Sequence, residues 1–432
     1  MDLETVVWLD SVDGVEALAV ATSHDDATHA LAAAGDARAV DPLKAVTALR
    51  RTLPDIDAAQ ASAVLTQVRL RRRARPRLGD LVDHLLLTED GLEQATRTVV
   101  ADLRAARYAA SGATHVADLG CGIGLDSAAF ARAGLTVTAV ERDPVVAGLA
   151  RRNVAALGHG ARVSVLEGDV TDDRVVASVL DSADAAFVDP ARRDPGSRRD
   201  GRSARLTAPE SWSPPWSWVG SVAARVPRTA AKVAPGVDHA LVPAGGCGTW
   251  TSVAGQLVEA EVAWPALALD GARRAAVVVR SALGHPLVLR SDVDLDDETP
   301  PPVGAIGAWL LEPDDAVIRA GLVGSVVARV AGRLLDPRVA YVTTDLDPAT
   351  QPDVDGAAAW FRVQESLHFD VDALRAALVA RGVGHVVVKK RAIAADPDEV
   401  RRQLRLPRAS GSAVVLLTRI GDAPWAFVCD AH

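Results

Sequence analysis

The stretch HVADLGCGIGLDSAAFARAGLTVTAVE, residues 115–141, determines the fold that the sequence predicts. It begins with a short apolar segment and passes through three closely spaced glycines. It then places small and apolar residues at helical spacing and ends in a β-branched segment closed by Glu141. Glycine has no Cβ atom, so it tolerates the unusual dihedrals of a tight turn and lets a ligand approach the backbone. The stretch therefore predicts a buried strand, a glycine turn, a helix and a second strand.

The following sequence continues this alternation of strand and helix. The predicted elements are, in order, a helix PVVAGLARRNVAALG, a strand ARVSVLEGDV, a helix DRVVASVLDS and a strand ADAAFVDP. A turn and a strand in KVAPGVDHALVPA and later strands in EVAWPALA and RRAAVVVRSA follow. Strands that alternate with helices form a mostly parallel sheet covered on both faces. We therefore predict an α/β fold with a Rossmann-like, doubly wound sheet.

Sequence patterning divides the chain into three predicted domains. Residues 1–110 place Ala, Val and Leu three and four residues apart, which predicts an N-terminal helical domain. In it, Thr88 is expected to start a single helix over EDGLEQATRTVVADLRAARYAA. Residues 111–295 form the sheet domain, and the acidic, proline-rich segment at 291–304 forms its boundary. Residues 300–432 are expected to form a small α+β region with its core at about 355–430.

Composition excludes several classes of protein. The 432 residues include no apolar run of membrane-spanning length, and the N-terminus MDLETVVWLD lacks the features of a signal peptide. Three cysteines lie far apart, and the ten histidines form no HxH or HExxH pair, so neither a disulfide framework nor a metal site is expected. We expect a cytoplasmic protein without a metal or a membrane anchor. The formal net charge of −9 leaves room for a local basic patch.

The glycine spacing discriminates between cofactors. The glycines are Gly120, Gly122 and Gly124, and Leu125 follows where a dinucleotide fingerprint requires glycine or alanine. S-adenosylmethionine carries no pyrophosphate, so its binding does not require the tight anion site at the start of the helix. The spacing therefore favours S-adenosylmethionine over a dinucleotide.

Acidic residues at three strand ends support the same cofactor. Asp118 ends the first strand, where its carboxylate can face the amino group of the methionine moiety. Glu141 ends the second, where it can accept hydrogen bonds from both ribose hydroxyls, and Asp169 ends the third, where it can contact the adenine amine. Single acids at strand ends are common, so a sheet that binds a dinucleotide or no ligand stays open as the alternative.

These motifs resemble a known family. The segments DLGCGIGLDSAAFA, ERDP, GDV and FVDPARRD are similar to the motifs of class I S-adenosylmethionine-dependent methyltransferases. The whole chain resembles bacterial, and specifically actinobacterial, methyltransferases with a C-terminal THUMP-like domain, through TEDGLEQATR, VDPARRD, EPDDAVIRAGL and HFDVDALRAALVARGVGHVVVKKR. The resemblance implies a Rossmann-like catalytic domain that uses S-adenosylmethionine and, through the THUMP relation, an RNA target.

The segment VDPARRD, residues 188–194, is expected to carry the catalytic residues Asp189, Pro190 and Arg192. Methyltransferases that act on exocyclic base amines have an Asp, Asn or Ser here, followed by two prolines and an aromatic residue. This chain keeps the first two residues and replaces the others with Ala191 and Arg192. A guanidinium can stack on a base or hold a phosphate, whereas the structural alternative is a salt bridge to a nearby aspartate.

Further basic and aromatic side chains are candidates for substrate contact: Arg193, Trp212, Lys389 and Lys390. The loop 192–218 combines arginines with tryptophans, as a site for a flipped or single-stranded nucleotide does, although it can also act as a lid. The two lysines follow a β-branched strand, where a merely solvated charge run is equally compatible with the sequence. The same choice applies to the six arginines between Arg69 and Arg77.

These features predict a methyltransferase that modifies a base nitrogen in RNA. Two alternatives stay open at this point. One is a methyltransferase for a small molecule or a protein, and the other is a non-catalytic RNA-binding protein with a degenerate methyltransferase core.

Overall fold

The computed structural model describes the backbone of residues 1–33, 42–191, 193–199, 202–205, 208–351, 354 and 356–431, and the side chains of these ranges except 30–43, 48 and 192–207. The chain forms two compact units. The first comprises Met1–Lys232 and Trp264–Leu267, and the second comprises Val233–Ala263 and Ala268–His432.

The first unit opens with a layer of helices. Their bounds are α1 (Leu3–Leu9), α2 (Val12–Ala33), α3 (Pro42–Thr52), α4 (Ala58–Leu78), α5 (Glu89–Gln94) and α6 (Thr98–Ala110). Capping residues fix where these helices begin: Asp57 and Gln60 form a capping box at α4, and the Thr88 side chain accepts from the backbone N–H of Gly91. Apolar residues of this layer, among them Leu9, Leu49 and Leu70, form one buried cluster.

Strands and helices then alternate as far as Val188, as the sequence predicts, and two strands follow as a separate antiparallel pair. The bounds are β1 (His115–Leu119), α7 (Leu125–Arg132), β2 (Thr136–Glu141), α8 (Pro144–Ala156), β3 (Val163–Glu167), α9 (Asp173–Leu180), β4 (Ala185–Val188), β5 (Arg193–Arg199), β6 (Arg202–Arg205), α10 (Trp216–Arg225) and β7 (Arg228–Val233). Parallel pairing gives the order β7-β4-β1-β2-β3. The order changes direction between β1 and β4, and in such sheets the ligand crevice lies at this switch point, beyond the carboxyl ends of the strands.

Aromatic packing fixes α6 against this sheet. The Tyr108 ring lies 4.9 Å from Phe130 of α7, and Phe130 lies 5.8 Å from Phe187 of β4, measured between ring centroids. The Tyr108 hydroxyl donates to the carbonyl oxygen of Ala186 at 2.8 Å. All three rings are buried, so the helical layer and the sheet of the first unit share a core.

The second unit contains two groups of strands. Its elements are β8 (Cys247–Val253), β9 (Gln256–Ala263), β10 (Arg274–Val279), β11 (Leu287–Ser291), β12 (Trp309–Pro313), α11 (Asp315–Arg319), α12 (Val323–Arg329), β13 (Arg333–Asp336), β14 (Val339–Thr344), β15 (Ala358–His368), α13 (Val371–Ala380), β16 (Val383–Lys390), α14 (Pro397–Leu404), β17 (Gly411–Ile420) and β18 (Ala423–Ala431). The strands β11-β10-β8-β9 pair in that order. The remaining strands form a sheet in the order β13-β14-β12-β15-β18-β17-β16, and α13 and α14 pack on it through Leu374, Leu378, Val400 and Leu404.

The predicted fold class is confirmed, and three local predictions are wrong, the first being the loop at 192–218, which contains the strands β5 and β6. The helix expected over residues 89–110 is divided at Ala95–Arg97, because Ala95 and Arg97 have extended dihedrals. The strand expected after the turn in KVAPGVDHALVPA is not there, because β7 ends at Val233 and the next strand, the unpredicted β8, begins only at Cys247. Small residues and glycines surround β8 and hide its β-pattern. The predicted domain boundaries stay predictions.

Across the residues that the structure describes, no helix combines the length and the apolar composition that crossing a membrane requires.

Candidate functional site

The glycine turn lies between β1 and α7, at the switch point of the sheet. Gly120 and Gly124 have φ angles of 92° and 84°, a region that side chains with a Cβ atom rarely adopt. A Cβ atom at Gly120 would lie 3.1 Å from the carbonyl oxygen of Asp189, and one at Gly124 would lie 3.3 Å from Cα of Ala150. Among the described residues, a Cβ atom at Gly122 would meet no atom within 4 Å. Close packing therefore requires the outer glycines, while the described residues leave space beside the middle one.

Glu141 holds this turn from the end of β2. Its Oε2 accepts from the backbone N–H of Gly122 at 3.1 Å, and its Oε1 accepts from that of Asp143 at 3.0 Å. Each carboxylate oxygen can accept more than one hydrogen bond, so this side chain can fix the loop and bind ligand hydroxyls together. The position is the one predicted for the ribose contact.

Asp118 is a deeply buried acid of the candidate site, with 1% of its surface exposed. Its Oδ2 accepts from the Ser127 hydroxyl, whereas its Oδ1 is buried and has no hydrogen-bond partner among the described residues. Burial raises the pKa of Asp118 to about 7, and the charge of Asp126 adds to the effect. A buried acceptor without a donor is costly, so this oxygen suits the cationic amino group expected of the cofactor.

Asp169 lies just beyond β3 and is exposed. Its Oδ1 accepts from the backbone N–H of Thr171 at 2.8 Å and from the Thr171 hydroxyl at 2.7 Å. These hydrogen bonds lower the pKa of the Asp169 carboxyl. The carboxylate is therefore ionised and oriented at the strand end where the adenine contact is predicted.

Asp189 and Pro190 follow β4. The backbone N–H of Asp189 donates to the Leu119 carbonyl oxygen at 3.2 Å, which places Asp189 directly beside the glycine turn. Pro190 is buried, and the N–H of the next residue, Ala191, donates to Ser213 O at 2.7 Å. Arg192 lies outside the described residues, and so does the side chain of Arg193 at the start of β5.

Lys232, on β7, is a site residue that the sequence prediction missed. Its Nζ donates to Asp189 Oδ2 at 2.8 Å, to Gln94 O at 2.9 Å and to Thr96 Oγ1 at 3.1 Å. The residue is 7% exposed, so the ion pair is largely shielded from water. One signal could have found it: the chain has four lysines, and this one interrupts the apolar strand RTAAKV. Buried lysines are rare unless they are paired.

The network continues from Thr96 into the first unit. The Thr96 hydroxyl donates to Asp126 Oδ2 at 2.8 Å, and the Arg104 guanidinium donates to Asp126 Oδ1. The guanidinium carbon of Arg104 also lies 4.4 Å from the centroid of the Phe187 ring, a cation–π contact. Thr96, Arg104 and Asp126 are all buried. Three acids and two cations thus lie beneath the glycine turn and the end of β4: Asp118, Asp126, Asp189, Arg104 and Lys232.

Two of the residues predicted to contact the substrate, Trp212 and Lys389, are engaged by other side chains of the protein. Trp212 is 6% exposed, and its ring lies 5.8 Å from that of Trp216, which in turn lies 5.6 Å from Trp264. Direct stacking of a base on Trp212 would require this ring to become exposed. In the second unit, the Lys389 ammonium pairs with Glu312. Lys390 is exposed at the end of β16.

The arginines of α4 are partnered within the chain. Arg69 and Arg73 both pair with Glu89, and Arg75 pairs with Asp83. Arg71 and Arg77 donate to backbone carbonyls of Leu85 and Leu92. These contacts support the structural interpretation of the run over a phosphate-binding patch, although exposed pairs of this kind stabilise a fold only weakly.

Family models match two segments of the chain. The model described as THUMP domain-like matches residues 358–431, which span β15 to β18. A model described as a domain of unknown function matches residues 28–74, within the helical layer. The first match agrees with the predicted C-terminal module.

Similarity to other proteins extends over most of the chain. A crystal structure of a candidate methyltransferase from Porphyromonas gingivalis W83 has 20% sequence identity and a TM-score of 0.67, and the match covers 87% of this chain and 91% of that one. It shows the fold. Proteins of Mycobacterium tuberculosis strains CDC 1551 and H37Rv, both described as uncharacterized S-adenosylmethionine-dependent methyltransferases, are 35% identical over 83% of this chain and 94% of theirs. The chain therefore belongs to the family of S-adenosylmethionine-dependent methyltransferases.

Proposed function

We propose that this methyltransferase acts on RNA and transfers the methyl group to a nitrogen of a base. The observation that carries the proposal is the match of residues 358–431 to the THUMP domain-like family in the same chain as the methyltransferase sheet. A THUMP relation implies RNA as the target, and the inference from this module is one of family analogy.

The charge of that segment supports an RNA partner. Residues 358–431 contain eleven Lys and Arg against eight Asp and Glu, a net charge of +3, whereas the whole chain has −9. Several of these cations are exposed, including Lys390, Arg405 and Arg408. A locally positive surface on an acidic protein suits contact with the phosphate backbone.

On the cofactor side, we assign the ammonium contact to Asp118, the ribose contact to Glu141 and the adenine contact to Asp169, with Gly120, Gly122 and Gly124 forming the turn between them. Oδ1 of Asp118 supports this assignment, because it is a buried acceptor for which the described part of the chain provides no donor. When bound, S-adenosylmethionine supplies an electrophilic methyl group on a sulfonium.

On the acceptor side, we assign Asp189 and Pro190 the role of orienting the base. The Asp189 carboxylate and the backbone carbonyl of Pro190 can accept hydrogen bonds from an amine, so that its nitrogen lone pair is directed toward the methyl group. Orientation of this kind supplies much of the catalysis when the donor is already reactive. A contribution of Arg192 to stacking, and of Arg193, Trp212, Lys389 and Lys390 to RNA contact, stays a prediction.

Two measurements test the proposal. Total RNA from a deletion strain should lack one methylated nucleoside by mass spectrometry. The purified wild-type protein with S-adenosylmethionine should restore it in vitro, and the Asp189→Ala variant should not. Calorimetric titration should show cofactor binding to both proteins. If no methylated nucleoside is lost in any RNA class, RNA is not the substrate, and if no cofactor binds, the chain is a non-catalytic member of the family.

A further inference from the structure

We propose that the turn between α5 and α6 is part of the acceptor site, where Thr96 positions Lys232 and Lys232 in turn positions the Asp189 carboxylate. This inference rests on the role proposed above for Asp189. It assigns a function to the segment TEDGLEQATR, residues 88–97, which the donor site does not use.

Lys232 is surrounded by hydrogen-bond acceptors. Its ammonium group is in a largely buried position and donates to Gln94 O, Thr96 Oγ1 and Asp189 Oδ2 at 2.9, 3.1 and 2.8 Å. A buried ammonium is unfavourable unless its N–H groups find acceptors, so all three contacts contribute to its position. Two of these acceptors belong to the α5–α6 turn.

The α5–α6 turn can provide these acceptors because the two helices are interrupted there. Helix α5 ends at Gln94, and the last carbonyls of a helix have no partner within it. The carbonyl oxygen of Gln94 is therefore available for Lys232. Because Ala95 and Arg97 are extended, Thr96 is not part of either helix, and its hydroxyl is directed into the site instead of along a helix surface.

Thr96 links Lys232 to Asp126 through two hydrogen bonds. Its hydroxyl accepts from Lys232 and donates to Asp126 in the first turn of α7. Asp126 is itself held by Arg104 of α6. A single hydroxyl therefore connects the acceptor residue Asp189, through Lys232, to the helix that follows the glycine turn. Removing it should let the ammonium and the carboxylate move without removing either charge.

The consequence is a defined orientation for Asp189. Lys232 engages Oδ2, which leaves Oδ1 as the oxygen that the acceptor amine would contact. Small errors in the placement of an orienting group reduce turnover strongly. Lys232 and Thr96 are thus positioning residues for methyl transfer and are not expected to contact the cofactor.

The main test compares three threonine variants. Thr96→Val keeps the side-chain shape and removes the hydroxyl, Thr96→Ser keeps the hydroxyl, and Thr98→Val removes a neighbouring hydroxyl that donates to Leu78 O. For methylation of RNA from the deletion strain, we expect kcat of Thr96→Val to fall by about tenfold or more, with the cofactor Kd within about threefold of wild type. Thr96→Ser and Thr98→Val should retain most activity. Equal losses in Thr96→Val and Thr98→Val would overturn the proposal.

Lysine variants provide the second comparison. Lys232→Met should lower kcat more than KM changes, and Lys232→Arg should recover part of the loss because it keeps a donor for the carboxylate. A folded Lys232→Met protein with wild-type kcat would show that the lysine is only structural. If Lys232→Met does not fold, Lys232→Arg and Thr96→Val still decide the question.

Failure of the RNA proposal can be separated from failure of this inference. If the wild-type protein methylates no RNA, thermal unfolding of Lys232→Met, Asp189→Asn and the double variant still measures whether the two side chains are coupled. We expect the double variant to lose less stability than the sum of the single variants, and the same non-additivity for Thr96→Val with Lys232→Met. Additive losses in both cycles would contradict the positioning network whatever the substrate is.

Discussion

Gly120 and Asp189 lie side by side, each directly after the last residue of its strand, β1 and β4. A Cβ atom on Gly120 would lie 3.1 Å from the Asp189 carbonyl oxygen. The glycine of the donor loop and the proposed acceptor residue are therefore in direct backbone proximity. A shift of the backbone at either position should therefore affect both halves of the site, whereas the Asp189 side chain can be changed without moving the glycine turn.

Gly120→Ala should destabilise the protein and weaken cofactor binding. The substitution introduces backbone strain at φ 92° and a close contact with Asp189. Gly134→Ala is a matched control, since Gly134 has φ 94° and a Cβ atom there would meet no described residue within 4 Å. Strain alone costs roughly 1–2 kcal/mol, so Gly120→Ala should lose more stability than the control. Thermal unfolding and calorimetry with S-adenosylmethionine measure the two effects, and equal losses in both variants would contradict the packing argument.

Asp118→Asn should stabilise the cofactor-free protein at neutral and alkaline pH. Burial raises the pKa of Asp118 from 3.8 to about 7, so the folded state binds a proton that the unfolded state has released. The wild-type free energy of unfolding therefore falls as pH rises from about 4 to about 7, and it levels off above that range. Asparagine carries no charge and avoids this loss. Denaturant unfolding at several pH values should show the difference between the proteins growing across this window, and a constant difference would be inconsistent with it.

Cofactor affinity should depend on pH in the opposite direction. The ionised form of Asp118 is the one that attracts a cationic amino group, so S-adenosylmethionine should bind more tightly as pH rises through about 7. Calorimetry of the wild-type protein in buffers of different ionisation enthalpy should also detect proton release on binding. Asp118→Asn should bind weakly with little pH dependence of this origin, and a pH-dependent affinity that is identical in the two proteins would exclude Asp118 as the source.

Trp212→Ala should lower stability by about 3 kcal/mol or more, because it removes a buried ring. Trp212→Phe should lose less, since it retains an aromatic contact with Trp216. If Trp212 instead stacked on a base, Trp212→Ala would weaken RNA binding while leaving the unfolding temperature unchanged. Thermal unfolding and an RNA-binding titration on the same samples discriminate between these roles.

Lys390→Ala should weaken RNA binding more than Lys389→Ala. Lys390 is exposed, whereas the ammonium of Lys389 is engaged by Glu312 and lies 5.5 Å from the Phe361 ring centroid. Loss of one phosphate contact should reduce the slope of log K against log salt by about 1. Fluorescence titrations at several salt concentrations give this slope, and an unchanged slope for Lys390→Ala would remove it from the RNA surface.

The sequence predicted those parts of the site that local patterns encode. The three glycines and the acids stand at fixed offsets from predicted strands, so the positions of Asp118, Glu141 and Asp169 at or just beyond strand ends could be predicted, while their contacts with the cofactor stay a prediction. Thr96 and Lys232 could not, because their contact joins residues 136 positions apart and depends on the fold. The helical periodicity of residues 89–110 also hid the break at Ala95–Arg97, since alanine and arginine are common in helices. Trp212 shows the reverse case, in which composition indicated a contact residue and packing buried it.

The break between α5 and α6 has a consequence for truncation. A fragment that began at β1 would retain every strand of the parallel sheet in the first unit, yet the ammonium of Lys232 would lose Gln94 and Thr96 and keep only Asp189 among the acceptors described above. The ammonium of Lys232 would then be exposed to water beside Asp189, the proposed acceptor residue. The smallest active form of the enzyme should therefore include the helices that precede the sheet. A fragment that lacks them should be inactive even if its sheet folds.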